Sequence, residues 1–417
     1  MLRLLRGERA TQVESGRVML DRFALAVGGV VLAAAAVVAP AAFASPPATP
    51  PPSAAPPAAS GPVTGAAIGG TQLARHGVLV NYPPGKVPRL PQVNASAWVI
   101  ADAGTGQVLA ARDPHGRYRP ASTLKVLTAI SLIPVLNPDA TVVASKQATT
   151  VSPNIVGLLA GHAYKVSDLF TALLTISAND AAMALAQAAG SLSQGMADIN
   201  AEARRLQADD TVAVTPNGLD APGQHTSAYD LALFARQGLR MPAFLKYDQT
   251  TGGLFRISQK KSVGLWNQNS LLATYPGAIG GKIGWTSAAG ATYVGMARRH
   301  GVTLIVTLLH CPALTEINAG KSLLNWGFAV DGTVRPVGTL VSARPQPPAA
   351  APSRPAGKGQ PGTGQPATAQ RITARPEARA QSVAASPSVL VAAGFSGVVL
   401  LAAAAGVVYS RRQRKHP

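Results

Sequence analysis

The central part of the chain alternates between strand-like and helix-like patterns of apolar residues. Two short apolar stretches, 96–102 and 107–113, are separated by an Ala-Gly-Thr-Gly turn, and this pattern predicts a β-hairpin. Further along, apolar residues recur every three or four positions, as they do on one face of a helix. The segments with this helical spacing are 124–136, 167–176, 179–190, 197–207 and 227–239.

After residue 279 the pattern returns to strands. Three apolar stretches, 280–286, 291–299 and 302–310, follow one another closely. A final helical segment covers 315–330. Strands at both ends of the domain, with helices between them, predict an α+β fold in which an antiparallel sheet has flanking helices and a helical subdomain.

Residues 1–44 have the order of a secretory signal peptide. Basic residues come first, an apolar run covers 23–38, and small residues lead to an Ala-Phe-Ala cleavage pattern that ends at Ala44. An uncleaved membrane anchor is the alternative, because the basic first part is unusually long. In both cases the residues that follow are exported, and 45–67, rich in proline and alanine, is predicted to be a linker.

A second apolar segment predicts a transmembrane helix at 388–410. Residues 389–409 include no charged side chain and, at ~1.5 Å per helical residue, are long enough to cross a bilayer core. A buried core helix is the other interpretation, but the many small residues and the basic cluster that follows favour a span. That cluster, in 411–417, predicts a cytoplasmic tail, so the preceding residues lie outside the cell membrane. Residues 341–387 are predicted to be a Pro/Ala-rich stalk, which leaves 68–340 as the globular domain.

Of the net charge of +19, +9 lies in residues 341–417 and +2 in residues 1–44. Residues 45–340 hold 22 basic and 14 acidic residues, so the globular part is only modestly basic. Such a domain suits an anionic membrane or a polyanionic wall polymer, and no basic-aromatic stripe indicates nucleic acid. Cys311 is the single cysteine, and the histidines lack metal-ligand spacing, so we predict no disulfide, metal ion or cofactor.

The first chemical motif is Ser122-x-x-Lys125. On a helix these side chains lie one turn apart on the same face and can meet. A serine hydroxyl is a weak nucleophile until a neutral base takes its proton, and a buried lysine with a lowered pKa can be that base. At a helix N-terminus the backbone N–H of Ser122 would also face a developing oxyanion. The same pattern recurs at Ser258 and Lys261, in a polar stretch that is predicted to be solvated surface.

The second motif is Ser177-x-Asn179, between two predicted helices. A short loop there would direct both polar side chains into a cleft. Helix capping is the alternative, and it is favoured for the motif taken alone, since serine and asparagine are common caps. A second copy, at Ser152 and Asn154, contains a proline and is predicted to be a plain turn.

The third motif is Lys282-x-Gly284, on a predicted strand that begins with two glycines. A strand lysine beside a glycine lets a ligand lie close to the backbone. The alternative is a lysine that protects an edge strand from aggregation.

The order and spacing of the three motifs resemble the active site of penicillin-binding proteins and serine β-lactamases. The wider sequence is similar in particular to the low-molecular-mass D-alanyl-D-alanine carboxypeptidases. The similar segments, in this order, are RPASTLKVLTAI, LLTISANDAAMALA, TPNGLDAPGQHTSAYDLALFA, NQNSLL and GGKIGWTSAAG. The resemblance covers 97–330 and implies a β-lactamase/D,D-peptidase-like fold and a penicillin-sensitive carboxypeptidase, here on a single-pass membrane protein with its catalytic domain outside the cell membrane.

The resemblance also implies catalytic roles. Ser122 would attack the carbonyl of the terminal D-Ala-D-Ala bond of a peptidoglycan stem peptide, and Lys125 would accept its proton. Ser177 would relay a proton to the departing D-alanine, and water would then hydrolyse the acyl-enzyme. β-Lactams would mimic the dipeptide and acylate Ser122.

The implied substrate-binding residues are Asn179, which would hold the substrate amide, and Lys282, which would attract the terminal carboxylate. Backbone N–H groups of Ser122 and Trp285 would form the oxyanion hole. Gly284 and Thr286 complete the binding strand.

One position departs from the family pattern. The family usually has threonine or serine where this chain has Ile283, and that hydroxyl contacts the substrate carboxylate. Losing a hydrogen bond to a charged group costs ~1.5–3 kcal/mol, or roughly ten- to a hundred-fold in affinity or rate. Isoleucine cannot form this hydrogen bond, so we expect a weaker enzyme unless the hydroxyl of Thr286 or Ser287 takes its place.

Two rival functions remain. A β-lactamase needs a deacylating glutamate, and the only glutamate between Ser177 and Lys282 is Glu202, without the asparagine that the common type places after it. A weakly active, membrane-tethered protein that binds wall polymer or β-lactams is the other alternative.

Overall fold

The structure is a computed structural model that describes residues 67–345. The predicted signal peptide, transmembrane helix and basic tail lie outside these residues, as do most of the predicted linker and stalk. Between residues 67 and 345 no helix has both the length and the apolar character needed to cross a bilayer.

The described residues form eleven strands: β1 (Val78–Val80), β2 (Ala97–Asp102), β3 (Gln107–Arg112), β4 (Thr141–Val143), β5 (Ala163–Lys165), β6 (Gly252–Ser258), β7 (Lys261–Trp266), β8 (Ala278–Thr286), β9 (Gly290–Arg299), β10 (Val302–Cys311) and β11 (Gly338–Thr339). They also form nine α-helices: α1 (Lys125–Leu132), α2 (Lys146–Thr149), α3 (Val166–Thr175), α4 (Asn179–Ala188), α5 (Leu192–Arg205), α6 (Ala228–Gly238), α7 (Pro242–Asp248), α8 (Leu271–Thr274) and α9 (Glu316–Val330). Two 3-10 helices cover Thr71–Ala74 and Ala121–Leu124.

Seven of the strands form one antiparallel sheet. Its order is β1-β3-β2-β10-β9-β8, and β11 also pairs with β3. The predicted hairpin is confirmed as β2 and β3, and the three strands predicted after residue 279 are confirmed as β8, β9 and β10. Strand β8 pairs only with β9 within the described chain, so it is an edge of the sheet.

Each face of the sheet is covered by helices because its side chains alternate between two apolar clusters. On the central strand β10, Leu304 and Leu308 pack in one cluster, on the face that α9 covers. Ile305 and Leu309 pack in the other cluster, with residues of α1 and α6. The observed architecture is the predicted α+β arrangement of an antiparallel sheet with flanking helices.

The predicted helices of the middle segment are present with small shifts of their ends. The first is shorter than predicted: Ala121–Leu124 is a 3-10 helix, and the α-helix runs only from Lys125 to Leu132. Helix α7 and the β6–β7 hairpin were not predicted, because α7 has under two turns and β6 opens with two glycines. The second Ser-x-x-Lys pattern lies in this hairpin with Lys261 exposed, which confirms it as surface.

The edge of the sheet and the start of α1 come together at one place. The 3-10 helix Ala121–Leu124 contacts both β8 and β9. Thr292 on β9 donates a hydrogen bond from Oγ1 to the carbonyl of Pro120 at 2.9 Å, which ties the sheet to the residue before this helix. All three sequence motifs meet around this junction.

Candidate active site

Ser122 lies in the 3-10 helix that leads into α1. It is half-buried, whereas every other residue from Pro120 to Leu132 is buried, so its hydroxyl can reach a ligand while its backbone is held by packing. The preceding residue, Ala121, has a φ of 46°, a conformation that non-glycine residues rarely adopt. Such strain is typical of functional sites, where surrounding contacts hold it in place.

The Lys125 amine is completely buried and lies 2.9 Å from the Ser122 hydroxyl oxygen. It donates hydrogen bonds to Asn179 Oδ1 at 2.7 Å and to the backbone carbonyl of Asn217 at 2.6 Å. Burial, and next the positive charge of Lys282, hold the pKa of Lys125 well below its usual value. A neutral amine has two N–H bonds and one lone pair. The two carbonyl oxygens take both N–H bonds, which leaves the lone pair for the proton of Ser122.

Asn179 begins α4 and is oriented by the segment that was predicted to be a plain turn. Its Nδ2 donates to the carbonyl of Ser152 at 2.8 Å, and its backbone N–H donates to the carbonyl of Asn154 at 2.7 Å. These bonds fix the amide so that its oxygen faces Lys125. The capping interpretation of this motif is wrong for Asn179, because the N-cap of α4 is Ala178 and no side chain caps it.

Ser177 lies between α3 and α4 with a φ of 63°. Its side chain is buried, and its hydroxyl has no hydrogen-bond partner among the described residues. A buried hydroxyl without a partner and a strained backbone are both unfavourable for stability. The hydroxyl is therefore free to bond a substrate atom, which is what a proton relay requires.

Lys282 and Gly284 are on the side of β8 that faces the nucleophile. Lys282 is 2% exposed, and its Nζ donates to the carbonyl of Ile283 at 2.8 Å. Burial lowers the pKa of Lys282 to about 7, although the nearby Asp248 carboxylate acts in the opposite direction. At Gly284 a Cβ atom would lie 2.6 Å from the backbone nitrogen of Ser122, so only glycine lets the strand approach this closely.

Trp285 and Thr286 lie at the end of the same strand. Trp285 is 61% exposed, and Thr286 Oγ1 accepts the backbone N–H of Ala289 at 2.9 Å. The structure therefore joins Ser122, Lys125 and Asn179 by hydrogen bonds and packs Gly284 against Ser122. Trp285 and Thr286 lie next to this group along the edge strand.

A family model described as D-alanyl-D-alanine carboxypeptidase matches residues 85–312, more than half of the 417 residues. The chain belongs to this family. Its described part has the mixed α+β fold of the penicillin-binding proteins and D,D-peptidases, and the protein is a serine hydrolase with D-alanyl-D-alanine carboxypeptidase function.

Several relatives are similar to this member of the family. A D-alanyl-D-alanine carboxypeptidase of Mycobacterium tuberculosis, DacB2, is 38% identical over 255 residues, which are 60% of this chain and 87% of the relative. A crystal structure of a D-alanyl-D-alanine carboxypeptidase from the same organism matches with a TM-score of 0.59 and 38% identity, over 62% of this chain and 99% of that one. A mutant of the Streptomyces K15 DD-transpeptidase matches with a TM-score of 0.53 and 25% identity, over 57% of this chain and 99% of that one.

Ile283, the position that departs from the family pattern, lies between Lys282 and Gly284. Because neighbouring strand residues point to opposite faces, its side chain turns away from the face that meets Ser122. It is partly buried and packs against the apolar cluster on the α9 side of the sheet. The chain therefore has no hydroxyl at 283 beside the ammonium group of Lys282.

Two contributors were not identified from the sequence. Asn217 acts through its backbone carbonyl, which no residue pattern reveals, although it lies in the TPNGLD segment that resembles the family. Asp248 is fully buried behind β8 and accepts the backbone N–H of Gly281 at 2.8 Å. No local signal distinguishes it from an exposed aspartate at the end of a helix.

Within residues 67–345 no cluster of three or more His, Cys, Asp or Glu side chains is placed to ligate a metal ion. The chemistry of the described site is assigned to two hydroxyls, two amines and one amide. Cys311 is buried, and burial raises its pKa to about 12, so it is not a competing nucleophile.

Proposed function

We propose that the protein removes the terminal D-alanine from peptidoglycan stem peptides that end in D-Ala-D-Ala, through a covalent acyl-enzyme on Ser122. The observation that carries this proposal is the set of bonds around Lys125. Its nitrogen lies 2.7 and 2.6 Å from two carbonyl oxygens and 2.9 Å from the serine hydroxyl oxygen, so in the neutral amine the two carbonyls take both N–H bonds and the lone pair is left for the hydroxyl proton. This arrangement is what a general base for serine requires.

In the acylation step the Ser122 oxygen attacks the carbonyl carbon between the two D-alanines while its proton passes to Lys125. The C–N bond then breaks, and the leaving nitrogen gains a proton through the free hydroxyl of Ser177. The products are free D-alanine and a peptidyl ester on Ser122. The protons and charges balance without a cofactor.

Substrate binding is assigned to the edge strand. The Lys282 ammonium would attract the C-terminal carboxylate, and Asn179 would hold the peptide amide with its side chain. The backbone N–H groups of Ser122 and Trp285 would stabilise the oxyanion, a contribution worth ~3–4 kcal/mol per donor in well-studied enzymes. Gly284 and Thr286 leave space for the extended substrate beside the strand.

In deacylation a water molecule would attack the ester carbonyl and give one proton to Lys125, which passes it to the Ser122 oxygen as the C–O ester bond breaks, so the serine hydroxyl is restored and the shortened peptide leaves as a carboxylic acid. A β-lactam presents its ring carbonyl and carboxylate where the dipeptide presents its own, so it would acylate Ser122. Because its leaving group stays tethered, the resulting ester would be long-lived, and the enzyme would be penicillin-sensitive.

A β-lactamase function is less well supported. Glu202, the only glutamate between the second and third motifs, lies on α5 and forms two 2.7 Å hydrogen bonds with Arg205. A carboxylate held in this ion pair is not available to activate a deacylating water at Ser122.

The proposed location is the outer side of the cell membrane. The supports are sequence features only: a signal-like start at 1–44, an uncharged apolar segment at 388–410 and a basic tail at 411–417. A membrane-held enzyme on a Pro/Ala-rich stalk would reach newly made stem peptides close to the bilayer surface.

The experiment is to incubate the purified full-length protein with a diacetyl-Lys-D-Ala-D-Ala peptide and to measure released D-alanine. We expect release in the wild type and none above background in Ser122→Ala. A protein that binds the peptide without releasing D-alanine would be the weakly active wall binder instead, and rapid turnover of nitrocefin would support the β-lactamase.

A further inference from the structure

A buried carboxylate packs against the strand that carries Lys282. Asp248 is the last residue of α7 and is fully buried. Its Oδ2 accepts the backbone N–H of Gly281, the residue before Lys282, at 2.8 Å. Its Oδ1 has no hydrogen-bond partner among the described residues. A buried carboxylate with one unpartnered oxygen is unfavourable for folding, and burial raises the pKa of Asp248 to about 7, although the N–H of Gly281 and the charge of Lys282 act in the opposite direction. The carboxylate is therefore charged above neutral pH, where Lys282 loses its proton.

The position of this carboxylate is fixed by packing. A Cβ atom at Gly280 would collide with Asp248 Oδ2, so the glycine leaves the space that the carboxylate occupies. Asn267 Nδ2 donates to the backbone carbonyl of Asp248 at 3.0 Å, which holds the end of α7 in place. The side chain is therefore held against the residues of β8 that precede Lys282.

Asp248 and Lys282 influence each other, and Lys282 influences Lys125. The Asp248 carboxylate raises the pKa of Lys282 against the effect of burial. The Lys282 charge in turn helps to lower the pKa of Lys125, which Asp180 on α4 opposes. On β9, burial raises the pKa of Tyr293 well above its usual value, and Asp248 and Glu316 add to this effect, so its phenol stays neutral.

We propose that Asp248 is a positioning residue of the active site, which keeps the Lys282 ammonium charged and in place and so keeps Lys125 in its neutral, basic form. Asp248 touches neither the nucleophile nor, in this arrangement, the substrate. Asp248 acts on Lys282, and Lys282 acts on Lys125. The catalytic roles of these two lysines are those of the proposed function, on which this inference rests.

The proposal predicts a specific change in pH dependence. In the wild type kcat/KM falls at low pH as Lys125 gains a proton, and falls at high pH as Lys282 loses the proton that attracts the substrate carboxylate. Asp248→Asn keeps an oxygen for the N–H of Gly281 but removes the charge. Lys282 would then lose its proton at lower pH, and the profile would narrow from the basic side by about one pH unit.

The acidic side of the profile would move in the opposite direction. Where Lys282 is uncharged, it no longer disfavours the protonated form of Lys125. The pKa of Lys125 is then higher, and the acidic limb of the profile moves to higher pH. Above the neutral range we expect kcat/KM of Asp248→Asn to be about ten-fold lower than that of the wild type, mainly through a higher KM. If the height of the profile falls while both limbs stay in place, Asp248 has only a structural role and the proposal is wrong.

Asp230→Asn is the matched control. Asp230 is also a fully buried carboxylate, but it lies on α6 and accepts hydrogen bonds from Thr211 Oγ1 at 2.7 Å and from the backbone of Asp210 at 3.0 Å. Replacing this carboxyl group can lower stability, yet both limbs should stay where they are in the wild type. If Asp230→Asn moves the limbs as Asp248→Asn does, the effect is not specific to Asp248 and the proposal fails.

A measurement on the unmutated protein covers the case in which Asp248→Asn does not fold. Full-length protein with 13C at the ε-carbon of lysine, in detergent micelles, gives a resonance for Lys282 that is assigned by its loss in Lys282→Arg. We expect a titration in two coupled steps, with the last near neutral pH. A single step at the value of an exposed lysine would overturn the proposal. This readout does not need peptidase activity, so it separates failure of this inference from failure of the proposed function.

Discussion

At the scale of single residues, the site depends on a lysine that is kept neutral by its surroundings. Lys125 has no side-chain carboxylate as a hydrogen-bond partner within the described residues, and its bonding partners are an amide oxygen, a backbone carbonyl and the serine hydroxyl. Desolvation therefore acts on it almost unopposed. A lysine in this state is a base at neutral pH, whereas an exposed lysine would be protonated.

Ile283 allows a test of the missing hydroxyl. A substrate carboxylate beside the Lys282 ammonium would lie next to position 283 on the edge strand. Because the side chain at 283 points into the apolar cluster on the α9 side, we expect Ile283→Thr to leave kcat/KM for the peptide within about two-fold of the wild type. A gain of about ten-fold, as expected from one hydrogen bond to a charged group worth ~1.5–3 kcal/mol, would show that the hydroxyl reaches the carboxylate. Steady-state D-alanine release measures it.

Ile283→Val is the control, since valine has the shape of threonine without its hydroxyl. It should leave kcat/KM within about two-fold of the wild type, because Ile→Val costs only ~0.5–1.5 kcal/mol of packing. Equal rates for the two variants would show that the hydroxyl has no part in binding.

The loss of the proton from Lys282 should set the basic limb of the kcat/KM profile. Its pKa is about 7 in the free protein, so the fraction that carries the positive charge falls as the pH rises through neutrality. Lys282→Arg stays charged at every accessible pH, and its basic limb in kcat/KM should therefore move upward. The measurement is kcat/KM of both proteins across the pH range, and an unmoved limb in the arginine variant would assign it to another group.

At the scale of elements, the site is the contact between an edge strand and the start of a helix. The sheet brings Gly284 so close to the Ser122 backbone that no side-chain atom fits between them. This close packing aligns the edge of β8 with the nucleophile. Neither element contains the site alone. The geometry of their contact is therefore as important as the motif residues themselves.

Gly284→Ala tests this contact. A methyl group there would press on the Ser122 backbone and on Thr292 Oγ1, which lies 2.5 Å from the added carbon. Overpacking of this kind typically costs about 1–3 kcal/mol, and the displaced turn would misplace the nucleophile. We expect kcat/KM to fall at least about ten-fold, with a smaller change in the unfolding midpoint.

Gly253→Ala is the matched control, because a Cβ atom there meets nothing within 4 Å. It lies on β6 and should leave both activity and the midpoint nearly unchanged. If Gly284→Ala were as active as this control, the strand would not position Ser122.

Most of the strands and helices could be predicted from the sequence. The strands and most helices have apolar periodicities that are local in the sequence. The contact between Ser122 and Lys125 is also local, because residues three apart on a helix lie on the same face. The contact between Lys125 and Asn217 was not predictable, because it uses a backbone carbonyl brought in from a distant loop. Asp248 was not predictable either, since its burial depends on how α7 packs behind β8. Asn179 was included in the site only through the family resemblance, because its local pattern favours a cap; the structure places its amide oxygen 2.7 Å from Lys125 Nζ.

At the scale of the whole molecule, the described domain is one part of a longer chain. The sequence on either side of it predicts export and a single membrane span, with the domain on the outer side. This topology would confine a wall-trimming enzyme to the region where its substrate is added.

Fractionation of cells that produce the full chain tests this topology. We expect the protein in the membrane fraction after an alkaline wash, and we expect protease added to intact spheroplasts to release an active domain. A variant that ends at residue 345 should be found in the medium. If that shortened variant stayed with the membrane, the predicted span at 388–410 would not be the anchor.

The most direct test of the central claim is covalent labelling of the nucleophile. Full-length protein is incubated with a penicillin, digested and analysed by mass spectrometry, with Ser122→Ala and Lys125→Met as companions. We expect one penicilloyl adduct on Ser122 in the wild type, none in Ser122→Ala, and labelling slowed by at least about a hundred-fold in Lys125→Met, since general base catalysis is worth roughly 10²–10⁴-fold. An adduct on any other serine, or full-rate labelling without Lys125, would contradict the central claim.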